Sequence, residues 1–373
     1  MSEKVELHIE GERFVFWQTV DIERSIDAVN GIKFTAPFDW ENEWFRKKFR
    51  PFSYLPVLIT VNDATLFTGT MVDVDPRLDT SKTISISAYS TCGVLMDCTA
   101  PDEAHPLEFN NLNLKSIAEN LAAYFKVGVV FKDDPGATFS RVACDPDKKV
   151  FEFLADLAKQ RGFVISSDEE GNLLFWKSAQ GEPVAILEQG ASPLSSVTPS
   201  FDPQNFYSDL TGMAPVEVAK PAVKVKIKTK KEKKKPGDLP LKKGRKPKPA
   251  KKYSKFSVEN EDATVFRPLV FKIDDADGPD VQTATKAKLG RMLGNMAKYS
   301  IQVSTWRDVN GNLWAPNTRI KLFAPDAMIY TPYTFEIKSV SLKKDRNSET
   351  ATLELVLPGS FSGEPPETFP WEM

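Results

Sequence analysis

Residues 56–74 read PVLITVNDATLFTGTMVDV, and that stretch decides the class of fold. Apolar and polar side chains alternate along Pro56–Val61 and again along Leu66–Val74, the period of a half-buried strand. Between them stands Asn62-Asp63, whose short side chains tolerate the left-handed backbone of a tight hairpin turn. The pattern continues on both sides. Upstream, Val5, Leu7 and Ile9 alternate with Glu6, His8 and Glu10, Gly11 interrupts, and Arg13–Val20 resumes with Phe14 and Phe16. Downstream, Thr83–Tyr89 is a further strand. Several short strands in about 100 residues, with no evident helix among them, predict a small antiparallel barrel or sandwich.

The period changes after Pro101. Asn113 can cap a helix whose apolar positions are Leu114, Ile117, Ala118, Leu121, Ala122 and Phe125. Asp147–Arg161 predicts a second helix, stopped by Gly162. Strands follow at Phe163–Ser166 and Leu173–Trp176, joined by the acidic turn Asp168–Asn172, so this middle region is α+β. From Pro183 to Asn205 the chain is rich in Pro, Ser and Gly, and Phe206–Met213 is a further strand candidate. A helix over Val281–Lys298 precedes strands at Tyr299–Trp306, Ile320–Ala324, Thr334–Leu342 and Thr350–Leu357, with Asn310-Gly311-Asn312 as a turn. The expected fold is a β-rich α+β chain: two small antiparallel β-barrel-like domains flank an α+β middle region.

The 373 residues carry 49 Lys+Arg against 51 Asp+Glu, a net charge of -2 that conceals a strong polarity. Lys220–Lys255 holds 17 basic residues and two acids, Glu232 and Asp238, so this segment carries +15 and the remainder -17. Val223, Val225 and Ile227 alternate with Lys224, Lys226 and Lys228, which predicts a strand at Val223–Thr229 returning along Tyr253–Val258 around a Lys-rich tip. The candidate contact residues for a partner or DNA are Lys224, Lys226, Lys228, Lys230, Lys231, Lys233, Lys234, Lys235, Lys242, Lys243, Arg245 and Lys246. Such a segment can displace counterions from a nucleic acid backbone, meet an acidic protein, or dock on the acidic wall of a second copy. Arg245 is its sole arginine, which argues against bidentate reading of bases.

Signals for catalysis are sparse. His8 and His105 lack Cys, His or Asp neighbours at metal-ligand spacing, and no phosphate-cradling loop, G-x-S-x-G or H-E-x-x-H occurs. The acid groups Asp73/Asp75, Asp133/Asp134 and Asp274/Asp275/Asp277 read as solvated turn residues, which leaves a carboxylate-driven hydrolase as the weakest reading. Cys92, Cys98 and Cys144 have no CxxC spacing and read as small core residues. No catalytic residue, metal or cofactor is expected. The sequence has no apolar run of about 18 residues and no signal-peptide pattern, so neither a membrane span nor secretion is predicted.

A series of phrases then becomes informative through its order. It comprises Ala88-Tyr89-Ser90 leading to Gly93–Cys98, Ser116–Leu121 with Phe125, Val150–Leu154 through Gly162 to Gly171–Leu174, Arg267-Pro268, Gly311–Asn317, and Leu353, Leu355 and Leu357 before Pro358. Across roughly residues 3–360 this order resembles the central baseplate hub proteins of contractile-tailed phages, the Mu-like hub and its T4-type relative. The resemblance implies a homotrimeric ring, with two related domains per chain joining a sixfold tail tube or tube-initiator protein to a threefold central spike. Other baseplate proteins are implied partners, and a tape-measure protein or DNA would pass through the lumen. The resemblance also implies a virion location, assembly in the host cytoplasm, no enzymatic role, and a spike and any lysozyme activity on separate chains. The expected organisation is a tube-facing domain at 1–100, a middle domain at 101–182, and a second β domain at 183–265 and 299–360 with the Lys-rich insertion 220–255. Residues 266–298 would return to the middle domain and 361–373 would form a tail. The alternatives are a DNA-binding protein acting through Lys220–Lys255, and the hub of a phage-derived injection machine carrying no genome.

Overall fold

The computed structural model describes residues 3–77, 82–178, 181–215, 253–260, 263–273, 278–364 and 366–372. The first lobe is built from β1 (Val5–Ile9), β2 (Glu12–Phe14), β3 (Thr19–Ser25), β4 (Gly31–Pro37), β5 (Pro56–Val61), β6 (Ala64–Arg77) and β7 (Thr83–Ser90). The hairpin read from residues 56–74 is present as β5–β6, closing at Val61 opposite Ala64. Its turn residues Asn62 and Asp63 both take positive φ, 50° and 67°, the left-handed pair that matches strand twist. The alternation buries Val57, Ile59, Val61, Phe67 and Met71, which join Phe34, Ile84 and Ile86 in one core.

Helix α1 (Glu43–Lys48) was not legible, because six residues are too few to display a helical period. Asn42 caps it by accepting a hydrogen bond from the Trp44 amide at 2.9 Å. The helix presents Phe45 to a ring cluster with Phe14 and Phe49, and Trp44 stacks on Phe14 at 5.4 Å. Lys48 is 3% exposed, and its ammonium is held by Glu10 at 2.7 Å and Glu12 at 3.1 Å.

The middle region runs α2 (Val94–Asp97), β8 (Glu108–Leu112), α3 (Leu114–Ala123), β9 (Val129–Phe131), β10 (Phe139–Ala143), α4 (Val150–Gln160), β11 (Phe163–Ser167) and β12 (Leu173–Lys177). Asn113 caps α3 as predicted, its side chain accepting from the Ser116 amide at 2.9 Å. Gly162 follows α4 at φ +70°, the left-handed stop that glycine adopts at little cost. The apolar faces of both helices pack with Phe163, Ile165 and Phe175 of the sheet. In the acidic turn Asp168 accepts from the Asn172 amide at 2.7 Å.

The second lobe adds β13 (Ile186–Glu188), β14 (Leu194–Phe201), β15 (Asp209–Pro215), β16 (Tyr253–Glu259), β17 (Pro268–Lys272), α5 (Gly278–Met296), β18 (Ala297–Val303), β19 (Arg319–Ala324), β20 (Ile329–Lys344) and β21 (Glu349–Val356). Two of these strands, β13 and β14, lie in the Pro-, Ser- and Gly-rich stretch, for which no strand was predicted. β14 is an outer strand with mostly polar, half-exposed residues, so it lacks the apolar alternation of a core strand. The predicted strand Phe206–Met213 begins at Asp209, and α5 stops before Lys298 because Ala297 opens β18 opposite Phe201. The predicted return strand is β16, but its partner in the described structure is β15, not Val223–Thr229, which lies outside the described residues. β15 also pairs with β17 in parallel, giving a three-stranded sheet whose inner residues Ala214 and Ile273 pack with Val281 and Ala284 of α5.

Both lobes belong to one 13-stranded sheet, joined where β3 pairs antiparallel with β20. Among the described strands the pairing does not close either lobe into a barrel, so the β-rich, mostly antiparallel fold is as expected while its barrel-like detail is not borne out. The lobes nevertheless repeat one order of pairing: β3-β4-β7-β6-β5-β1 in the first and β14-β18-β21-β20-β19-β13 in the second. They differ in that β13 pairs in parallel with β19, whereas β1 is antiparallel to β5. The Pro- and Glu-rich end is not a free tail. Phe361 and Phe369 are buried, Trp371 stacks on Phe369 at 4.9 Å, and the Tyr333 hydroxyl donates to the Thr368 carbonyl at 2.8 Å.

Candidate assembly surfaces

The seam between the lobes is built from paired apolar and polar residues of β3 and β20. Along it Ile22 stands opposite Leu342 and Asp21 opposite Lys343. Asp21 accepts from the Ser341 hydroxyl at 2.6 Å and approaches the Lys343 ammonium at 3.3 Å. At one end, the turn after β3 reaches three units. The Ile26 amide donates to the Lys338 carbonyl at 3.0 Å, the Asp27 amide to the Ile165 carbonyl at 2.8 Å, and the buried Asn30 bonds Ser167 through amide and side chain at 2.9 Å each. Arg291 of α5 reaches Asp27 at 3.0 Å, and burial pulls its guanidinium below its ordinary pKa while Asp27 opposes that shift. Sequence reasoning found none of these residues, since partners such as Asp21 and Ser341 lie 320 positions apart and no local period links them.

A second candidate surface is the base of the Lys-rich segment. All twelve predicted contact residues, Lys224 to Lys246, lie outside the described residues. The described structure fixes where the segment departs and returns: Pro215 stands opposite Tyr253 at one end of the β15–β16 pair. The +15 segment is therefore anchored at adjoining positions on the edge of the second lobe.

Exposed aromatics mark further surface. Phe16 and Trp40 are more than half exposed, Phe52 is 84% exposed in the first lobe, and Phe266 is 81% exposed beside β17. Isolated apolar side chains are ordinary on a protein surface, so these positions add weight only where a sheet edge accompanies them.

The chemistry of the remaining titratable groups is quiet. Among the described residues no group of three or more His, Cys, Asp or Glu side chains is placed to hold a metal ion. Burial pushes the Cys92 thiol up to about 12 and the Cys144 thiol up to about 11, which leaves little thiolate at neutral pH. Cys92 is a core residue as expected, while Cys98 and Cys144 are only partly buried. Asp73 and Asp75 stand on strand β6 rather than in a turn, and Asp133 accepts from the Lys177 amide at 2.8 Å. Asp274, Asp275 and Asp277 lie outside the described residues. No described helix is long and apolar enough to cross a membrane.

With this geometry in place, known proteins supply a frame. Residues 92–177, from just before α2 through β12, match the family described as baseplate hub protein gp44-like, second domain. Over 350 residues the chain is 23% identical to the baseplate hub protein gp44 of Escherichia phage Mu, covering 90% of this chain and 82% of that protein. The chain resembles the Mu-type baseplate hubs. The fold extends the likeness: the 43 kDa tail protein of prophage MuSo2 from Shewanella oneidensis superposes with a TM-score of 0.74 at 22% identity, covering 96% of this chain and 99% of that one. An E. coli component of the type VI secretion system superposes with a TM-score of 0.55 at 10% identity, covering 96% of this chain and 79% of that one. The family match thus falls on the α+β region, and the superposed fold covers 96% of this chain.

Proposed function

We infer that the chain is a non-enzymatic structural hub of a phage tail baseplate or of a related injection machine. In this reading copies assemble as a homotrimeric ring that joins the sixfold tail tube, or its initiator, to the threefold central spike and outlines the channel. One observation carries it. Each chain holds two lobes with the same pairing order in one continuous sheet, so three chains offer six near-equivalent units to a sixfold partner. The similarity to Mu gp44 supports the baseplate, and the likeness to a type VI secretion component supports the injection-machine alternative as a relative of the same fold. The test is to mix the purified chain with tube and spike subunits and image the complexes. A threefold ring with a central hole that retains both partners is expected; a monomer that binds neither at high concentration overturns the reading.

A second role for the Lys-rich segment rests on its charge and on its anchorage at one sheet end. Deleting Lys230–Lys252 is expected to remove salt-sensitive DNA retention while leaving the fold intact, because each neutralised phosphate adds a slope of about -0.9 to the logarithmic salt dependence. Retention at background in both forms, with assembly lost on deletion, would assign the segment to protein docking instead.

A further inference from the structure

Between α4 of the middle region and α5 lies an open cleft of about 930 Å³. On the α5 side Ala284, Ala287 and Gly294 leave the room, and Phe153, Leu157 and Phe361 supply apolar lining. Its walls are held in place. A Cβ on Gly290 would lie 2.5 Å from the Gly359 carbonyl oxygen, and one on Gly294 2.9 Å from the Ser360 side chain, so α5 and the segment leading to Phe361 pack too closely to shift independently. Arg291, 3.0 Å from Asp27, ties the same helix to the first lobe. The cleft is therefore preformed. Its charge departs from that of its surroundings. Outside Lys220–Lys255 the chain carries -17, yet among the described residues six cations and only three acids line the cleft. Lys148 and Lys159 share one carboxylate, Asp156, at 2.7 and 3.7 Å. On the α5 wall Lys288 is exposed, with no acid at ion-pair distance among the described residues. Asp27 is committed to Arg291, which leaves Asp145 as the one lining acid without a cation at that distance among the described residues. Counting Glu354, which holds Lys338 at 2.9 Å from outside the lining, the balance stays positive.

We propose that this cleft docks an acidic, partly apolar segment of another protein in extended conformation. Successive side chains of an extended peptide point to opposite sides. A segment that alternates acidic and apolar residues thus sets its carboxylates against the rim lysines Lys148, Lys159 and Lys288 while its apolar side chains rest against Phe153, Leu157 and Phe361. The occupant follows from charge complementarity. A nucleic acid duplex is too broad to enter and would touch the rims alone, and a free phosphate would meet the lysines but leave the apolar lining in water. A peptide uses both. Lysine ammoniums are compact charges on flexible stems, suited to carboxylates whose spacing varies from one segment to another. Their attraction speeds encounter and weakens as salt rises.

The proposal does not rest on the hub reading, and its failure leaves that reading standing. The probe is a fluorescein-labelled peptide in which Glu alternates with Leu, added to the full chain. Salt-sensitive binding is expected, and the double variant K159E/K288E should weaken it about tenfold or more, because each reversal turns an attraction at the rim into a repulsion. Both lysines reach solvent, so the double variant should unfold at the temperature of the wild type. The peptide should still bind after Lys230–Lys252 is deleted. In the unaltered chain a carbodiimide joins peptide carboxylates to neighbouring lysine amines as amides, leaving as a urea that carries off the carboxylate oxygen. Mass spectrometry is expected to map these links to Lys159 and Lys288, and this map decides alone should the double variant fail to fold. Links confined to Lys220–Lys255, or binding abolished by the deletion and untouched by K159E/K288E, overturn the proposal and give the peptide to the Lys-rich segment. A single-stranded oligonucleotide that binds more tightly than the peptide, and is lost from K159E/K288E, overturns it in favour of a phosphate-bearing ligand.

Discussion

Replacing Trp306 by alanine is expected to lower the unfolding free energy by about 3–5 kcal/mol, the range for removing a large buried ring. Trp306 is 1% exposed, and its indole N–H donates to the carbonyls of Lys343 at 3.2 Å and Thr350 at 3.0 Å, pinning β20 to β21 near the end of their hairpin. Alanine leaves both a cavity and two carbonyls without this donor. Because Lys343 is also opposite Asp21, the damage reaches the seam between lobes. Urea unfolding measures the loss, and Trp306→Phe should fall between alanine and wild type, since it keeps ring volume but not the donor. A loss below about 1 kcal/mol for alanine would show that the indole does not hold the hairpin.

Removing the Glu336 side chain should be nearly as costly. Glu336 is 2% exposed on β20, and its carboxylate accepts from Arg319 at 3.0 Å, from the Ser178 hydroxyl at 3.4 Å and from the Gly359 amide at 3.4 Å. Glu336→Ala leaves Arg319 largely buried without its counter-charge, at a cost of about 3 kcal/mol, the low end for broken buried pairs because Arg319 keeps some solvent contact. Burial raises the Glu336 carboxyl above its ordinary 4.5, although Arg319 opposes the shift. A raised acid contributes stability that is full below 4.5 and declines as pH rises through its folded value. Glu336→Gln should therefore flatten the stability profile above pH 4.5, a change read by thermal unfolding across a pH series. An unaltered profile would remove this residue from the pH dependence.

The sequence made legible what depends on neighbours in the chain. Asn62-Asp63 encoded its turn because left-handed backbone is a local demand, and Asn113 and Gly162 marked helix ends for the same reason. What escaped depends on distant partners. β14 pairs through Val197 and Pro199 with Ile301 and Tyr299, so its apolar face is completed by residues far along the chain and its own pattern stays weak. The terminal residues read as a tail because Pro and Glu dominate them, yet Phe369 and Trp371 supply enough apolar area to dock the segment. The junction of Asp27, Asn30, Ser167 and Arg291 has no local signature at all. The candidate Lys contacts were singled out by charge alone, and charge does not specify a position in the fold.

The rung that joins Pro215 to Tyr253 has an evolutionary consequence. A chain that leaves and re-enters a sheet at facing positions closes a loop whose entropy grows only slowly, by about 0.6 kcal/mol for each doubling of length. Residues between those positions are thus free to lengthen, shorten or change charge with little effect on the hydrophobic cores. The Lys-rich stretch is in this sense a cassette, whose length and charge can change without rebuilding the strands that flank it.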